Sequence, residues 1–193
     1  MTHRLPLLTL AAAGTLAAVT LTATASPAAE PAADPKVERG RYLVTLGGCN
    51  DCHTPWHMGP DGPEPDASRT LSGHPHDLAV PPAPVLGSEF WVAAASGTNT
   101  AWSGPWGVSF TANLTPDAET GTGKWSEQEF MDTLRSGRHL GRGRQILPPM
   151  PWFNYGKMTD DDLSAVFAYL RTLKPISNKV PDPLPPPAAP AAP

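Results

Sequence analysis

Apolar residues recur at helical spacing in three stretches of this chain, and nowhere do they alternate over a run long enough to argue a strand. The first stretch predicts a helix from Pro35 or Lys36 to Leu46: Asp34 can cap it, Pro35 sits at its first position, and Gly47-Gly48 stops it. The second begins at Ser126, which with Glu129 has the spacing of a capping box, carries Phe130 and Leu134 on one face, and ends at Gly137. The third pairs Thr159 with Asp162 at the same spacing, then places Leu163, Val166, Phe167, Leu170 and Leu173 on one stripe before Pro175. The expected fold class is therefore all-α, with three main helices. Between the first two helices, the segment from Thr54 to about Lys124 reads as one long, mostly irregular insertion. A loop of that length is rare in a compact domain unless it is functional or wraps a ligand. Three short helices bury little apolar surface for a chain of 193 residues, so something large and apolar has to complete the core.

Composition changes this picture at the two ends. Residues 1–25 begin with His3 and Arg4, run through a Leu/Ala-rich stretch from Leu5 to Leu21, and end in Ala23-Thr24-Ala25, the pattern of a secretory signal peptide. The competing reading, an uncleaved anchor, relies on a stretch at the short edge of what spans a bilayer. Of the 25 prolines, seven lie between Pro181 and Pro193, in a Pro/Ala tail that lacks apolar periodicity and is expected to be extended and disordered. Eight more fall between Pro55 and Pro84, inside the insertion. The expected organisation is a signal peptide over 1–25, a linker over 26–35, one domain over 36–180 with its insertion at about 56–106, and the tail over 181–193. The formal charge is −4, and removal of residues 1–25 leaves 13 Lys and Arg against 18 Asp and Glu. Nucleic acid is not an expected partner for such a chain.

Export also means an oxidising compartment, where two lone cysteines pair, bind something or react. Here they stand as Cys49-Asn50-Asp51-Cys52-His53. In a C-x-x-C-H arrangement two thiols add across the vinyl groups of a haem, and the next residue turns its imidazole toward the iron. A structural zinc site would want four Cys or His ligands, commonly as two paired clusters, and the sequence has no second cluster of that kind. A thioredoxin-like dithiol would follow a strand, whereas here a helix runs into Gly47-Gly48. A plain disulfide would leave His53 and the missing core unexplained. The reading is one covalent haem c, attached at Cys49 and Cys52 and ligated by His53.

An electron-carrying haem takes a second axial ligand, and a His/Met pair raises the reduction potential relative to two nitrogens. Met1 leaves with the signal, and Met58 follows His53 so closely that it would have to detour around the macrocycle. Met131 sits beside Phe130 within a helix, a core setting. Met150 lies in Leu147-Pro148-Pro149-Met150-Pro151-Trp152, where prolines hold an extended segment able to lay a thioether over a flat ring. Met158 precedes the cap of the third helix, the place of a hydrophobic staple. Met150 is the expected distal ligand; His139, near the same segment, is the histidine that competes with it, while His57, His74 and His76 read as polar surface.

These segments together resemble a class I c-type cytochrome domain, of the bacterial periplasmic monohaem type whose relatives occur as cytochrome subunits of membrane-associated dehydrogenases. The resemblance rests on Gly40 to Val44 leading into Cys49 to Thr54, on Asn113 to Asp117 with Thr120 to Trp125, and on Pro149 to Trp152 followed by Met158 to Leu173. It implies a cytochrome c-like fold around one covalently bound haem, Met150 as distal ligand, Gly40 crossing against Tyr169 or nearby, and a periplasmic location. The long segment from Trp56 to Trp106 departs from a minimal domain of that type.

The expected function is single-haem electron transfer, not catalysis, either as a free carrier or as a subunit of an oxidoreductase complex. The expected partners are a dehydrogenase or a respiratory component, with a membrane involved only if the N-terminal segment is retained. Two alternatives stand beside it: an open-site haem enzyme or sensor, peroxidase-like, if Met150 does not bind, and a carrier permanently docked through the insertion or the tail. Arg135, Arg138, Arg142 and Arg144 form either a docking patch for an acidic partner, a partner for a haem propionate, or a solvated loop. Trp102, Trp106, Trp125 and Trp152 read as haem-packing or core aromatics.

Overall fold

The computed structural model describes residues 34–84, 86 and 90–186. The expected signal peptide, most of the expected linker and the tail from residue 187 lie outside them. Helix α1 spans Pro35–Leu46, and the Asp34 carboxylate accepts the Lys36 N–H at 2.9 Å. A short turn, α2, follows at Cys49–His53. Helix α3, Glu127–Ser136, starts in a complete capping box: Ser126 Oγ accepts the Glu129 N–H, and Glu129 Oε2 accepts the Ser126 N–H. After a one-turn helix α4 at Trp152–Tyr155 comes α5, Asp160–Thr172. Thr159 Oγ1 caps α5 by accepting the Asp162 N–H, but the Asp162 carboxylate turns to Arg39 of α1, at 2.9 Å, and does not close a box. No helix among the described residues is long and apolar enough to cross a membrane.

Helices α1 and α5 cross where α1 carries no side chain. A Cβ on Gly40 would run into the Ala165 carbonyl and stand 2.8 Å from Tyr169 Cβ, so backbone packs on backbone there. The helices share one apolar cluster, with Leu43 and Val44 from α1, Phe130 and Leu134 from α3, and Leu163, Val166, Phe167 and Leu170 from α5. The Phe130 and Phe167 rings lie 5.3 Å apart. From the insertion, Leu71 joins this cluster fully buried.

The chain is not all-α, which corrects the expected fold class. Strands β1 (Trp56–Gly59) and β2 (Gly62–Pro65) form an antiparallel ribbon, and β3 (Ala94–Ala95), β4 (Ala101–Gly104) and β5 (Gly107–Phe110) form a three-stranded antiparallel sheet in that order. Strands of two to four residues complete at most two periods of alternation, too few to stand out in the sequence. Prolines conceal β2 further: Pro63 and Pro65 donate nothing to a ladder and are tolerated because β2 has a partner on one side only. The two-residue connection Pro105-Trp106 joins β4 to β5, with Gly104 opposite Gly107. Farther along, Leu184 and Val108 of β5 exchange both backbone hydrogen bonds at 2.9 Å, so the segment expected as a disordered tail over 181–193 is paired with the sheet at Leu184.

Candidate haem-binding site

Between α1 and α2 the chain reverses at Gly47-Gly48. Gly48 adopts a left-handed conformation, φ +65°, that glycine takes without strain, and the Tyr155 hydroxyl donates to the Gly47 carbonyl at 2.5 Å. This turn launches α2, whose helical pitch puts Cys49 and Cys52, three residues apart, on one face. Both thiols are free, and both line the same cavity as His53. Burial pushes the Cys49 thiol up to about 11, and the Asp51 carboxylate adds to it; Cys52 is raised for the same two reasons. Among the described residues no group of three or more His, Cys, Asp or Glu could hold a metal ion.

His53 is buried, and its Nδ1 lies 2.8 Å from the Ala112 carbonyl. A carbonyl only accepts, so Nδ1 carries the proton and Nε2 keeps its lone pair. Burial lowers the His53 pKa against the opposing pull of that carbonyl, which holds the ring neutral. A neutral imidazole oriented through its far nitrogen is what a ligating histidine requires.

The cavity that these residues line has a volume of about 420 Å³. Its walls are the inward faces of α1, α3 and α5, the strand β5 and the Met150 segment. Two thiols and a neutral imidazole on an apolar cavity bounded by three helices match a haem.

Met150 lines this cavity between Pro149 and Pro151. Its segment is tied to the β-sheet by Ser109 Oγ, which donates to the Pro148 carbonyl at 2.6 Å. Met158 and His139 also line the cavity, the latter edge-on to Trp125 with ring centroids 5.1 Å apart. Met131 packs against the core from outside the cavity, and Met58 is exposed. Neither His57, His74 nor His76 reaches the cavity: His57 pairs with Glu64, His74 is wholly buried against Thr100, and His76 bonds Asn178. The site therefore gathers Cys49, Cys52, His53 and Met150, with Met158 and His139 beside them. Of the arginines, Arg144 lines the cavity, Arg135 pairs with Asp160 at 2.6 Å, and Arg142 approaches Glu129 at 3.3 Å.

Sequence reasoning did not find the Ala112 carbonyl, Ser109 or Tyr155. A backbone carbonyl has no residue signature, although Ala112 immediately precedes the Asn113 segment that carries part of the family resemblance.

No family model matches the chain. It is 28% identical over 146 residues, 75% of its length, to one subunit of the nicotinate dehydrogenase of Pseudomonas putida, of which that match spans 9%. It is 29% identical over 149 residues, 76% of its length, to the cytochrome c subunit of the quinone-dependent alcohol dehydrogenase of Gluconobacter oxydans, covering 24% of that protein. It is likewise 28% identical over 76% of its length to the fructose dehydrogenase cytochrome subunit of Gluconobacter japonicus, covering 23% of it. The chain thus spans about a quarter or less of these curated relatives, and its similarity to the cytochrome subunits among them supports a c-type cytochrome that carries haem.

Proposed function

We propose that this protein is a periplasmic electron carrier with a single covalent haem c, attached through Cys49 and Cys52, with His53 as proximal and Met150 as distal ligand. The observation that carries the reading is the convergence of both thiols, the His53 imidazole and Met150 on one apolar cavity. Haem, when bound, supplies one reversible electron at its iron. The protein's own part is to orient and exclude. Ala112 fixes the His53 tautomer; the apolar faces of α1, α3 and α5 would exclude water from a bound haem; and the proline-braced Met150 segment, held by Ser109, would offer its thioether as the second ligand. With Met150 bound as well as His53, the iron would have no position left for a substrate, and on that ground the proposal is a carrier and not an enzyme.

The similarity to dehydrogenase subunits makes a dehydrogenase the proposed electron donor and a respiratory component the proposed acceptor. The N-terminal pattern supports export to the periplasm. Expression alongside a haem-attachment system, a haem stain on a denaturing gel and an optical spectrum of the ferric form test the whole reading. It predicts covalent haem and a sulfur–iron charge-transfer band near the red end of the visible. Without the band, the open-site alternative replaces the carrier; without covalent haem, both are wrong.

A further inference from the structure

Building on that haem reading, we infer that the C-terminal segment from Ile176 to Leu184 is a wall of the haem site, a strap fastened by Asn178 that keeps water from the cavity and holds the reduction potential up. Two anchors define the strap. At the first, the Ile176 N–H donates to Thr115 Oγ1 at 3.1 Å, and its carbonyl accepts from Asn113 Nδ2 at 2.8 Å. Asn178, only 1% exposed, then spends nearly all its hydrogen-bonding capacity on other segments. Its Nδ2 donates to the Ser72 and His74 carbonyls at 2.6 and 2.9 Å, its Oδ1 accepts the His76 N–H at 2.9 Å, and its own N–H donates to Thr120 Oγ1 at 2.9 Å. One buried amide thus joins the strap to the 72–76 loop and to the Asn113–Thr120 loop.

The second anchor is the Leu184–Val108 pair on β5. Neighbouring Gly107 has φ +93°, and a Cβ there would collide with the Leu184 carbonyl, so the strap lies against backbone at a site only glycine accommodates. Just before this second anchor, Pro183 lines the haem cavity. Through Pro183 the strap therefore borders the site next to β5, the strand whose Ser109 holds the Met150 segment.

Breaking a buried amide network leaves carbonyls orphaned away from water, so the strap belongs to the folded core and does not fray like a free end. Its effect on the site follows from solvation. The ferric centre carries one more positive charge than the ferrous centre, water favours it, and a dry wall disfavours it.

The test compares two variants that keep Asn178 in place. Leu184→Pro removes the N–H donated to Val108 and alters no charge; truncation after Val180 removes the second anchor and Pro183 altogether. Both should retain covalent haem and the wild-type spectrum while the potential shifts negative, more for the truncation, with the shift persisting at high ionic strength. A purely structural strap would lower the melting temperature and leave the potential where it was, and that result overturns the proposal. Wild-type protein without covalent haem would sink the haem reading first, and the strap's role with it.

Discussion

At the residue scale, the distal ligand decides between carrier and enzyme, and two methionines lining one cavity make the comparison internally controlled. Met150→His should keep the iron six-coordinate and lower the potential, since a second imidazole favours the ferric state more than a thioether does. Met150→Ala should abolish the sulfur–iron band and admit carbon monoxide. Met158→Leu exchanges apolar side chains of similar volume and should cost under about 1.5 kcal/mol without touching the band. If Met158→Leu erases the band and Met150→Ala spares it, the ligand assignment is reversed. A second residue, His74, predicts a pH dependence. It is wholly buried, its Nδ1 is 2.9 Å from Thr100 Oγ1, and its ring centroid lies 4.8 Å from that of Phe110. Burial lowers its pKa from 6.5 and the Arg69 charge pushes the same way, against the Leu78 backbone. A base with its folded pKa below its unfolded value stays neutral while the unfolded chain takes up the proton. Its contribution is therefore complete above about pH 6.5 and is lost as pH falls below that value. His139, also lowered by burial, adds to the same slope. Melting temperatures between about pH 7.5 and pH 5.5 should fall less steeply in His74→Gln than in wild type; equal slopes would show that His74 does not take part.

At the element scale, the helices were legible and the strands were not, for reasons that lie in particular residues. Asp34 with Pro35, Ser126 with Glu129, and Thr159 before Leu163 all announce helix starts by local chemistry, and the structure places α1, α3 and α5 there. The attachment motif was legible for a similar reason, since the chemistry needs Cys49, Cys52 and His53 on one turn. By contrast, β4 and β5 are four residues each, too short for alternation to show, and the Ala112 carbonyl and Asn178 act through contacts 59 and about 100 residues away in sequence. No local pattern encodes such contacts. The β-sheet nonetheless matters to the site, because Ser109 on β5 ties down the Met150 segment. Ser109→Ala should cost about 1 kcal/mol of stability, the usual net worth of one hydrogen bond. If the tether also steadies the ligand, the sulfur–iron band should fade at a lower temperature than global unfolding; a band that survives to the melting point limits Ser109 to packing.

At the scale of the whole molecule, the charge distribution predicts where electrons are exchanged. The chain carries a formal charge of −4, yet residues 135–144 hold four arginines and no acid. That loop is braced internally: the His139 N–H donates to the Arg144 carbonyl at 2.9 Å, and the Ile146 N–H to the Gly137 carbonyl at 2.8 Å. Arg138 donates to the Gly143 carbonyl, and Arg144 borders the cavity, so neither charge is neutralised by a carboxylate among the described residues. A positive field beside the cavity of a negative protein attracts anions to that face. The oxidation rate of the reduced protein by hexacyanoferrate(III), an anion, should fall about tenfold at low ionic strength in Arg138→Glu/Arg144→Glu. With tris(phenanthroline)cobalt(III), a cation, it should rise, and the two effects should vanish together in about 1 M salt, where screening acts over about 3 Å. Charge reversal beside the cavity also shifts the potential, but a potential shift moves both rates in the same direction, whereas a change of local field moves them apart. Rates that move together, or not at all, place the exchange on another face and leave these arginines as a solvated loop.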